Sequence, residues 1–255
     1  MRQCEQVPFP QNRGQTPVGM ATAYFCFHSE LSVFLKREWR GARFSHDCAR
    51  AANLKNAIEA LGVPHTEVGA VRVNGDPATL QRTVREGDEV EVFAYAEVQS
   101  PARHFLADAH LGALARFLRM LGFDTLHDQA LADREIRRIA HDEGRVVLTR
   151  DRDLLKCREI ERGCYVRALK PEAQLREVAA RYQLGAQARP FTLCLHCNLP
   201  LAPIAKDRVA SRVPPRALEL HSAFTHCAGC GRVYWPGTHY ERMKSALAGL
   251  GFTAP

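Results

Sequence analysis

Two short apolar stretches, FLAD at residues 105–108 and VVLTRDRD at residues 146–153, decide how we predict the fold of this chain. Each is followed by a segment with helical periodicity, and this alternation is typical of parallel strands buried between crossover helices. We therefore predict an α/β domain with a parallel sheet over residues 102–190. In this prediction residues 151–162 are helical and residues 165–169 form a further strand.

Aspartates stand where the predicted strands end and the predicted helices begin: Asp108, Asp133, Asp151 and Asp153. Ligands bind at the carboxyl ends of parallel strands, so these acids are expected to face one pocket. Close carboxylates repel one another, and a divalent cation relieves the repulsion. Oxygen ligands suit Mg²⁺ or Mn²⁺, which activates water for attack on a phosphodiester. Aspartate is also a favoured helix N-cap, so a set of caps is the alternative interpretation.

The cysteines carry a second chemical signal. Four of the nine cysteines form two C-x-x-C pairs, Cys194 with Cys197 and Cys227 with Cys230. Such pairs supply four thiolates to a tetrahedral, structural Zn²⁺. An odd total with clustered pairs favours a metal site in a reducing compartment over a disulfide framework. We therefore predict a zinc ribbon over residues 191–250, and we expect the other five cysteines to be unpaired: Cys4, Cys26, Cys48, Cys157 and Cys164.

The net charge of +7 is unevenly distributed along the chain. Residues 21–97 contain 9 Lys and Arg against 11 Asp and Glu, whereas residues 98–190 contain 17 against 13 and residues 191–255 contain 7 against 3. A basic excess favours a polyanionic partner such as RNA, although a generally basic soluble protein shows the same balance. No apolar run approaches the ~20 residues that span a bilayer, and residues 1–20 lack the apolar core of a secretory signal. We predict a cytoplasmic protein without a membrane partner.

The N-terminal third has its own pattern. Residues 1–20 are polar and contain several prolines and glycines, which predicts a disordered leader and makes Met20 an alternative start. Residues 21–97 show a strand, a short helix and further strands, with a tight turn at Asn74-Gly75. This order predicts a small α+β grasp domain.

These N-terminal residues resemble the ubiquitin-like β-grasp domain of sulfur carriers. The resemblance is carried by LKNAIEALGVP at residues 54–64, VNG at 73–75 and GDEVEV at 87–92. Sulfur carriers depend on a free C-terminal Gly-Gly, whereas here the last strand runs on into another domain. The resemblance therefore implies a binding role, with a protein partner, rather than carrier chemistry.

The central and C-terminal residues resemble the Mut7-C family, a PIN-like ribonuclease domain followed by a zinc ribbon at residues 194–243. The nuclease motifs are FLAD (105–108), LGALARFLRMLGFDT (111–125), DREI (133–136) and LTRDRDL (148–154). The resemblance implies that Asp108, Asp133, Asp151 and Asp153 are the catalytic acids, with Glu135 as the alternative second acid. It also implies that Asp108 and Asp151 bind Mg²⁺ or Mn²⁺.

Arginines near the predicted pocket suit RNA phosphates, because the guanidinium group binds them in a bidentate manner. We assign phosphate contact to Arg116, Arg150 and Arg152, and we place Arg119 on a solvated helix face. The combined prediction is a metal-dependent ribonuclease acting on RNA, with tRNA or another structured RNA among the candidate substrates. A non-catalytic module that binds RNA or a protein partner is the alternative.

Overall fold

The computed structural model describes residues 19–49, 51–95 and 102–252. The predicted leader, apart from its last two residues, and the predicted linker at residues 99–101 lie outside these ranges. No helix in the described part of the chain combines the length and the apolar character needed to cross a bilayer.

The N-terminal part is a mixed five-stranded sheet with one α-helix. Its elements are β1 (Met20–Phe27), β2 (Arg43–Ala49), α1 (Leu54–Ala60), β3 (Val68–Val73), β4 (Asp76–Ala78) and β5 (Glu89–Ala94). The strand order is β2-β1-β5-β3-β4, and β1 and β5 form a parallel pair between antiparallel neighbours. This arrangement confirms the predicted ubiquitin-like grasp.

Local sequence explains the ends of these elements. The Asn53 side chain caps α1 by accepting a hydrogen bond from the Asn56 N–H at 2.9 Å, as an N-cap asparagine does. Leu54 and Ile58 of α1 are fully buried with the sheet residues. Asn74 and Gly75 have φ values of 54° and 89°, which is the backbone that a two-residue hairpin turn between β3 and β4 requires.

A buried carboxylate holds the loops that precede β5. Asp88 is 3% exposed and accepts two hydrogen bonds from the Arg82 guanidinium, at 2.6 and 3.0 Å. The Arg85 N–H donates to the same carboxylate at 2.8 Å. Burial raises the pKa of Asp88, but the Arg82 and Arg85 hydrogen bonds outweigh burial and hold the pKa below its ordinary value.

The central part contains a parallel sheet with flanking helices. Its elements are β6 (His104–Ala107), α2 (Gly112–Met120), β7 (Asp124–Leu126), α3 (Asp133–Glu143), β8 (Val146–Thr149), α4 (Arg152–Leu155), β9 (Gly163–Tyr165) and α5 (Pro171–Tyr182). Strand β6 pairs in parallel with β7 on one side and with β8 on the other. The apolar residues of β6 and β8 are at most 1% exposed, so the predicted parallel sheet is confirmed.

The C-terminal part is a small antiparallel ribbon with two helices. Its elements are β10 (Leu201–Ile204), α6 (Pro215–Leu220), β11 (Phe224–Cys227), β12 (Val233–Tyr234) and α7 (Thr238–Gly249), with strand order β10-β11-β12. Val209, Val213 and Phe224 form a small buried cluster. So small a core favours an additional structural element such as a metal site.

The described residues fall into two compact units. The first contains residues 19–95 and 149–165, and the second contains residues 102–148 and 166–252. The residues after β8 thus belong to the same compact unit as the grasp sheet. The domain boundaries predicted from the sequence stay predictions.

The helix predicted over residues 151–162 is wrong beyond its first turn, because α4 ends at Leu155. The chain then turns, and the Ile160 carbonyl accepts a hydrogen bond from His65 Nε2 at 3.0 Å. This carbonyl is thus used in a contact within the first unit instead of a helical hydrogen bond. The strand predicted over residues 165–169 was also misplaced. It is found at Gly163–Tyr165, where the Tyr165 N–H donates to Glu67 Oε1 at 2.8 Å.

Candidate functional site

The four paired cysteines come together in the second unit. The sulfur atoms of four cysteines all lie within 4.8 Å of one another: Cys194, Cys197, Cys227 and Cys230. The Cys194 and Cys230 sulfurs are 3.7 Å apart, close to the edge of about 3.8 Å of a tetrahedron with Zn–S bonds of about 2.3 Å. Four thiols at this spacing fit a closed, four-coordinate Zn²⁺ site.

The two C-x-x-C pairs sit on equivalent turns, which we call the first knuckle (residues 194–199) and the second knuckle (residues 227–232). In the first knuckle the Cys194 N–H donates to the Leu199 carbonyl at 2.8 Å, and the Asn198 N–H donates to the Cys194 carbonyl at 2.9 Å. In the second, the Cys227 N–H reaches a carbonyl five residues on at 3.0 Å, and the Gly231 N–H returns to the Cys227 carbonyl at 2.9 Å. Asn198 and Gly231 have φ values of 64° and 71°, so each turn closes on a left-handed residue.

Hydrogen bonds set the electrostatics of Cys194. Burial raises the pKa of its thiol, but hydrogen bonds from the Tyr234 hydroxyl and from the Cys197 and His196 N–H groups stabilise the thiolate and lower the pKa to about 6. The Tyr234 oxygen lies 3.1 Å from the Cys194 sulfur. Burial raises the pKa of Tyr234, and the contact with the Cys194 sulfur raises it further. The Tyr234 hydroxyl therefore stays protonated and donates to the Cys194 sulfur. This hydrogen bond stabilises the thiolate, which is the form of cysteine that binds a metal.

Arg119 of α2 connects the parallel sheet to the first knuckle. Its Nε donates to the Thr125 carbonyl at 2.9 Å, and its Nη1 donates to the Leu195 and His196 carbonyls at 3.2 and 3.0 Å. The residue is 6% exposed, so the predicted solvated position is wrong. Helical periodicity placed Arg119 outside the apolar face of α2 but carried no information about the knuckle that covers it.

Asn198 forms a second connection between the first knuckle and β7. Its Oδ1 accepts a hydrogen bond from the Thr125 N–H at 2.9 Å, and its Nδ2 donates to Asp124. Arg145 holds Asp124 from the other side through two hydrogen bonds at 2.9 and 3.0 Å. Burial raises the pKa of Asp124, but the hydrogen bonds from Arg145 and Asn198 have the larger effect. The pKa of Asp124 is therefore below its ordinary value. The prediction missed Asn198, whose only sequence signal is its place directly after Cys197.

Two of the predicted acids lie in the second unit. Asp108 directly follows β6, is half-buried, and makes no side-chain hydrogen bond as a helix cap. Asp133 is the exposed first residue of α3, and the cap position belongs to Ala132, whose N–H donates to Glu135 Oε2 at 3.2 Å. Asp108 therefore occupies the N-cap position of the turn at residues 109–111 without the side-chain hydrogen bond of a cap. Asp133 is not at the cap position of α3, whereas Glu135 contributes to the start of that helix.

The other two predicted acids lie in the first unit. Asp151 is the N-cap of α4, because its Oδ1 accepts hydrogen bonds from the Asp153 and Leu154 N–H groups at 2.7 and 3.3 Å. Its own N–H donates to the hydroxyl of the buried Thr149 at 2.9 Å. Asp153 is exposed and pairs with Lys156 at 2.9 Å, and this pairing lowers the pKa of Asp153. The capping interpretation therefore holds for Asp151.

Among the described residues, metal-ligating side chains gather in two groups. One is the four-cysteine cluster. The other is Cys26, His28 and Glu91, in which Cys26 is disulfide-bonded and so offers no thiolate. The prediction of an unpaired Cys26 was wrong, since spacing alone does not reveal disulfide partners. The four aspartates belong to neither group, and their joint metal site stays a prediction.

The predicted phosphate contacts differ in their surroundings. Arg116 is exposed on α2 and Arg150 is exposed after β8. Arg152 donates to the Phe34 carbonyl at 3.2 Å, so part of its guanidinium is engaged within the first unit. Of these arginines, Arg116 lies in the same unit as the four-cysteine cluster.

Comparison with known proteins gives two family matches. The model described as Mut7-C RNAse domain matches residues 103–247, and the model described as Mut7-C ubiquitin matches residues 20–100. Among solved structures, small archaeal modifier protein 1 of H. volcanii is 20% identical over 29% of this chain and 97% of that chain, with a TM-score of 0.24. L-proline dehydrogenase of P. horikoshii is 14% identical over 58% of this chain and 27% of that chain, with a TM-score of 0.19. TM-scores of 0.24 and 0.19 are too low to establish a shared fold. No curated protein matches the chain.

Proposed function

The chain belongs to the Mut7-C RNAse domain family, whose model matches more than half of it, and from this membership we propose that it is a metal-dependent ribonuclease. The family match supports a nuclease-like function. The observation that carries the proposal further is the position of Asp108, at the carboxyl end of the buried strand β6. In parallel sheets this is the edge at which ligands bind.

We assign the catalytic work to the carboxylates of Asp108, Asp133, Asp151 and Asp153. Their oxygen atoms are the donors that Mg²⁺ or Mn²⁺ prefers. When bound, such an ion activates water and stabilises the charge that develops on a phosphodiester. Asp133 is the better second acid than Glu135, because the Glu135 side chain accepts the Ala132 N–H.

We assign Zn²⁺ to the four-cysteine cluster. Four thiols at tetrahedral spacing leave no open coordination position, so this ion serves the structure and not the chemistry. The surrounding ribbon has more Lys and Arg than Asp and Glu, 7 against 3 in residues 191–255. This excess supports a role of the ribbon in attracting RNA phosphates.

The test is cleavage of end-labelled single-stranded and structured RNA with Mn²⁺ and with no added divalent ion. The zinc content of each sample is measured, so that loss of Mn²⁺ is not confused with loss of Zn²⁺. We expect Asp108→Asn to lower the rate about 100-fold or more, because removing a residue that only supports a metal ligand already costs about 10–100-fold. Asp142→Asn is the control, because Asp142 is an exposed acid paired with Arg138 on α3. Cleavage by Asp108→Asn at the wild-type rate removes the proposal.

The alternative is an RNA-binding or partner-binding module without turnover. The cap formed by Asp151 favours it, because a helix cap needs no metal. It requires salt-sensitive RNA binding that is independent of Mn²⁺ and is not followed by cleavage. The ubiquitin-like residues 20–100 are the candidate surface for a protein partner under either proposal.

A further inference from the structure

A cavity of about 480 Å³ lies in the ribbon, lined by the strands on one side and by the start of α7 on the other. This volume is within the roughly 300–1,000 Å³ typical of small-ligand sites. Apolar and aromatic side chains dominate its wall, among them Phe191, Leu201, Val233, Trp235, Tyr240 and Met243. All of these residues belong to the second unit.

The aromatic rings of the cavity are held in place by neighbouring groups. Phe191 and Tyr240 are in contact, with ring centroids 4.4 Å apart and planes inclined by 48°. Trp235 also packs against the small core that contains Phe224. A Cβ atom at Gly237 would lie 2.8 Å from the indole nitrogen of Trp235, so the glycine at this position lets the indole lie against the chain. Rings fixed in this way offer stacking faces at low entropic cost.

We propose that this cavity takes one unpaired nucleobase of an RNA strand, stacked against Trp235 and Tyr240. The inference rests on the proposed function in that RNA is the substrate. Aromatic faces bind all four bases, because every base presents a π surface. The basic excess of residues 191–255 supplies the second part of the recognition, attraction of the phosphates that carry the base.

Charge complementarity selects this occupant over other apolar ligands. Arg232 and Arg242 are exposed and directly precede the lining residues Val233 and Met243. A second copy of this chain that docked through its own ribbon would bring like charge toward the cavity and be repelled. A base attached to a polyanion suits both the apolar wall of the cavity and the basic excess of residues 191–255.

Trp235 itself reports the interaction, because Trp39 is the only other tryptophan in the sequence. The experiment uses the full chain with Asp108→Asn, so that RNA is not consumed, and with Trp39→Phe, so that fluorescence comes from Trp235. The probes are a nine-residue oligoadenylate and an abasic nine-residue strand of equal charge, without divalent ions. We expect the oligoadenylate to quench Trp235 and to bind at least tenfold more tightly than the abasic strand.

Two variants separate stacking from packing. Tyr240→Phe keeps the ring and is expected to keep the affinity, whereas Tyr240→Leu keeps an apolar contact with Phe191 and is expected to lose about tenfold. Equal affinity and equal quenching by the two strands overturn the proposal. So does a Trp235 signal that depends on protein concentration without RNA, because it identifies a second copy as the occupant. If this chain shows base-dependent quenching but the chain with Asp108 intact never cleaves RNA, the cavity assignment stands and only the ribonuclease proposal is removed.

Discussion

Replacing Arg119 with methionine tests whether the zinc ribbon and the parallel sheet form one stability unit. Methionine keeps most of the apolar stem and removes the guanidinium, which makes three hydrogen bonds at 2.9–3.2 Å. The Thr125 carbonyl belongs to a residue that is 0% exposed, so it loses its donor where water does not readily replace it. Leu195 and His196 lie nearer the surface, and water can reach their carbonyls.

The expected cost follows from this difference in exposure. An orphaned buried acceptor costs about 1–3 kcal/mol, and the two knuckle hydrogen bonds add about 0.5–1 kcal/mol each. We therefore expect a loss of about 2–5 kcal/mol in the free energy of unfolding, or a decrease in Tm of about 5–20 °C for a unit of this size. Because two of the bonds end on the first knuckle, zinc release to a colorimetric chelator should be at least tenfold faster.

The matched control is Arg116→Met, which removes an exposed arginine from the same helix, three residues away. Thermal unfolding is measured by calorimetry, and zinc release is measured at one temperature below both transitions. If Arg119→Met and Arg116→Met unfold together and release zinc at the same rate, the hydrogen bonds to the knuckle contribute nothing to stability. The coupling inferred from the structure would then be wrong.

Two further predictions concern backbone strain and a buried charge. Gly122 and Gly144 both have positive φ, 85° and 61°. A side chain at Gly122 would collide with the Arg189 carbonyl, whereas a side chain at Gly144 meets open space. We therefore expect Gly122→Ala to lower the free energy of unfolding in urea by at least about 2 kcal/mol more than Gly144→Ala does. Equal costs would show that the chain relaxes around the new methyl group. Because the pKa of Asp88 is lowered in the folded chain, its contribution to stability is present above the unfolded pKa of about 3.9 and is lost as the pH falls through the folded pKa. Asp88→Asn should therefore lower stability by about 1–3 kcal/mol at pH 7 and remove part of the acid-induced loss, and a wild-type pH profile in the variant would contradict this.

Patterns that reside in one segment could be predicted from the sequence. Strands β6 and β8 are continuous apolar runs, since both faces of a parallel sheet are buried, and the turn at Asn74-Gly75 specifies its own backbone. The four zinc-ligand candidates follow from the spacing of Cys194, Cys197, Cys227 and Cys230 alone. In each case the information lies within a few neighbouring residues.

Features that depend on two distant segments could not be predicted in this way. Arg119 reads as a solvated helix residue because its partners, Leu195 and His196, lie more than 70 residues away in the sequence. The segment after α4 reads as a helix because its charged residues have good helix propensity. Its backbone instead serves a contact with His65, about 95 residues earlier. Tertiary contacts override local preference at both places.

The anchoring of the first knuckle has a consequence for the order in which the metal site is assembled. The hydrogen bonds of Arg119 and Asn198 use groups outside the thiols, so they hold the pair Cys194 and Cys197 whether or not an ion is present. Under the zinc assignment proposed above, an incoming ion would meet a preformed half-site of two sulfur ligands. Closure by the remaining pair is then an intramolecular event, favoured by a high effective concentration. We therefore expect Zn²⁺ uptake in two stages, in which Cys194 and Cys197 bind the ion first.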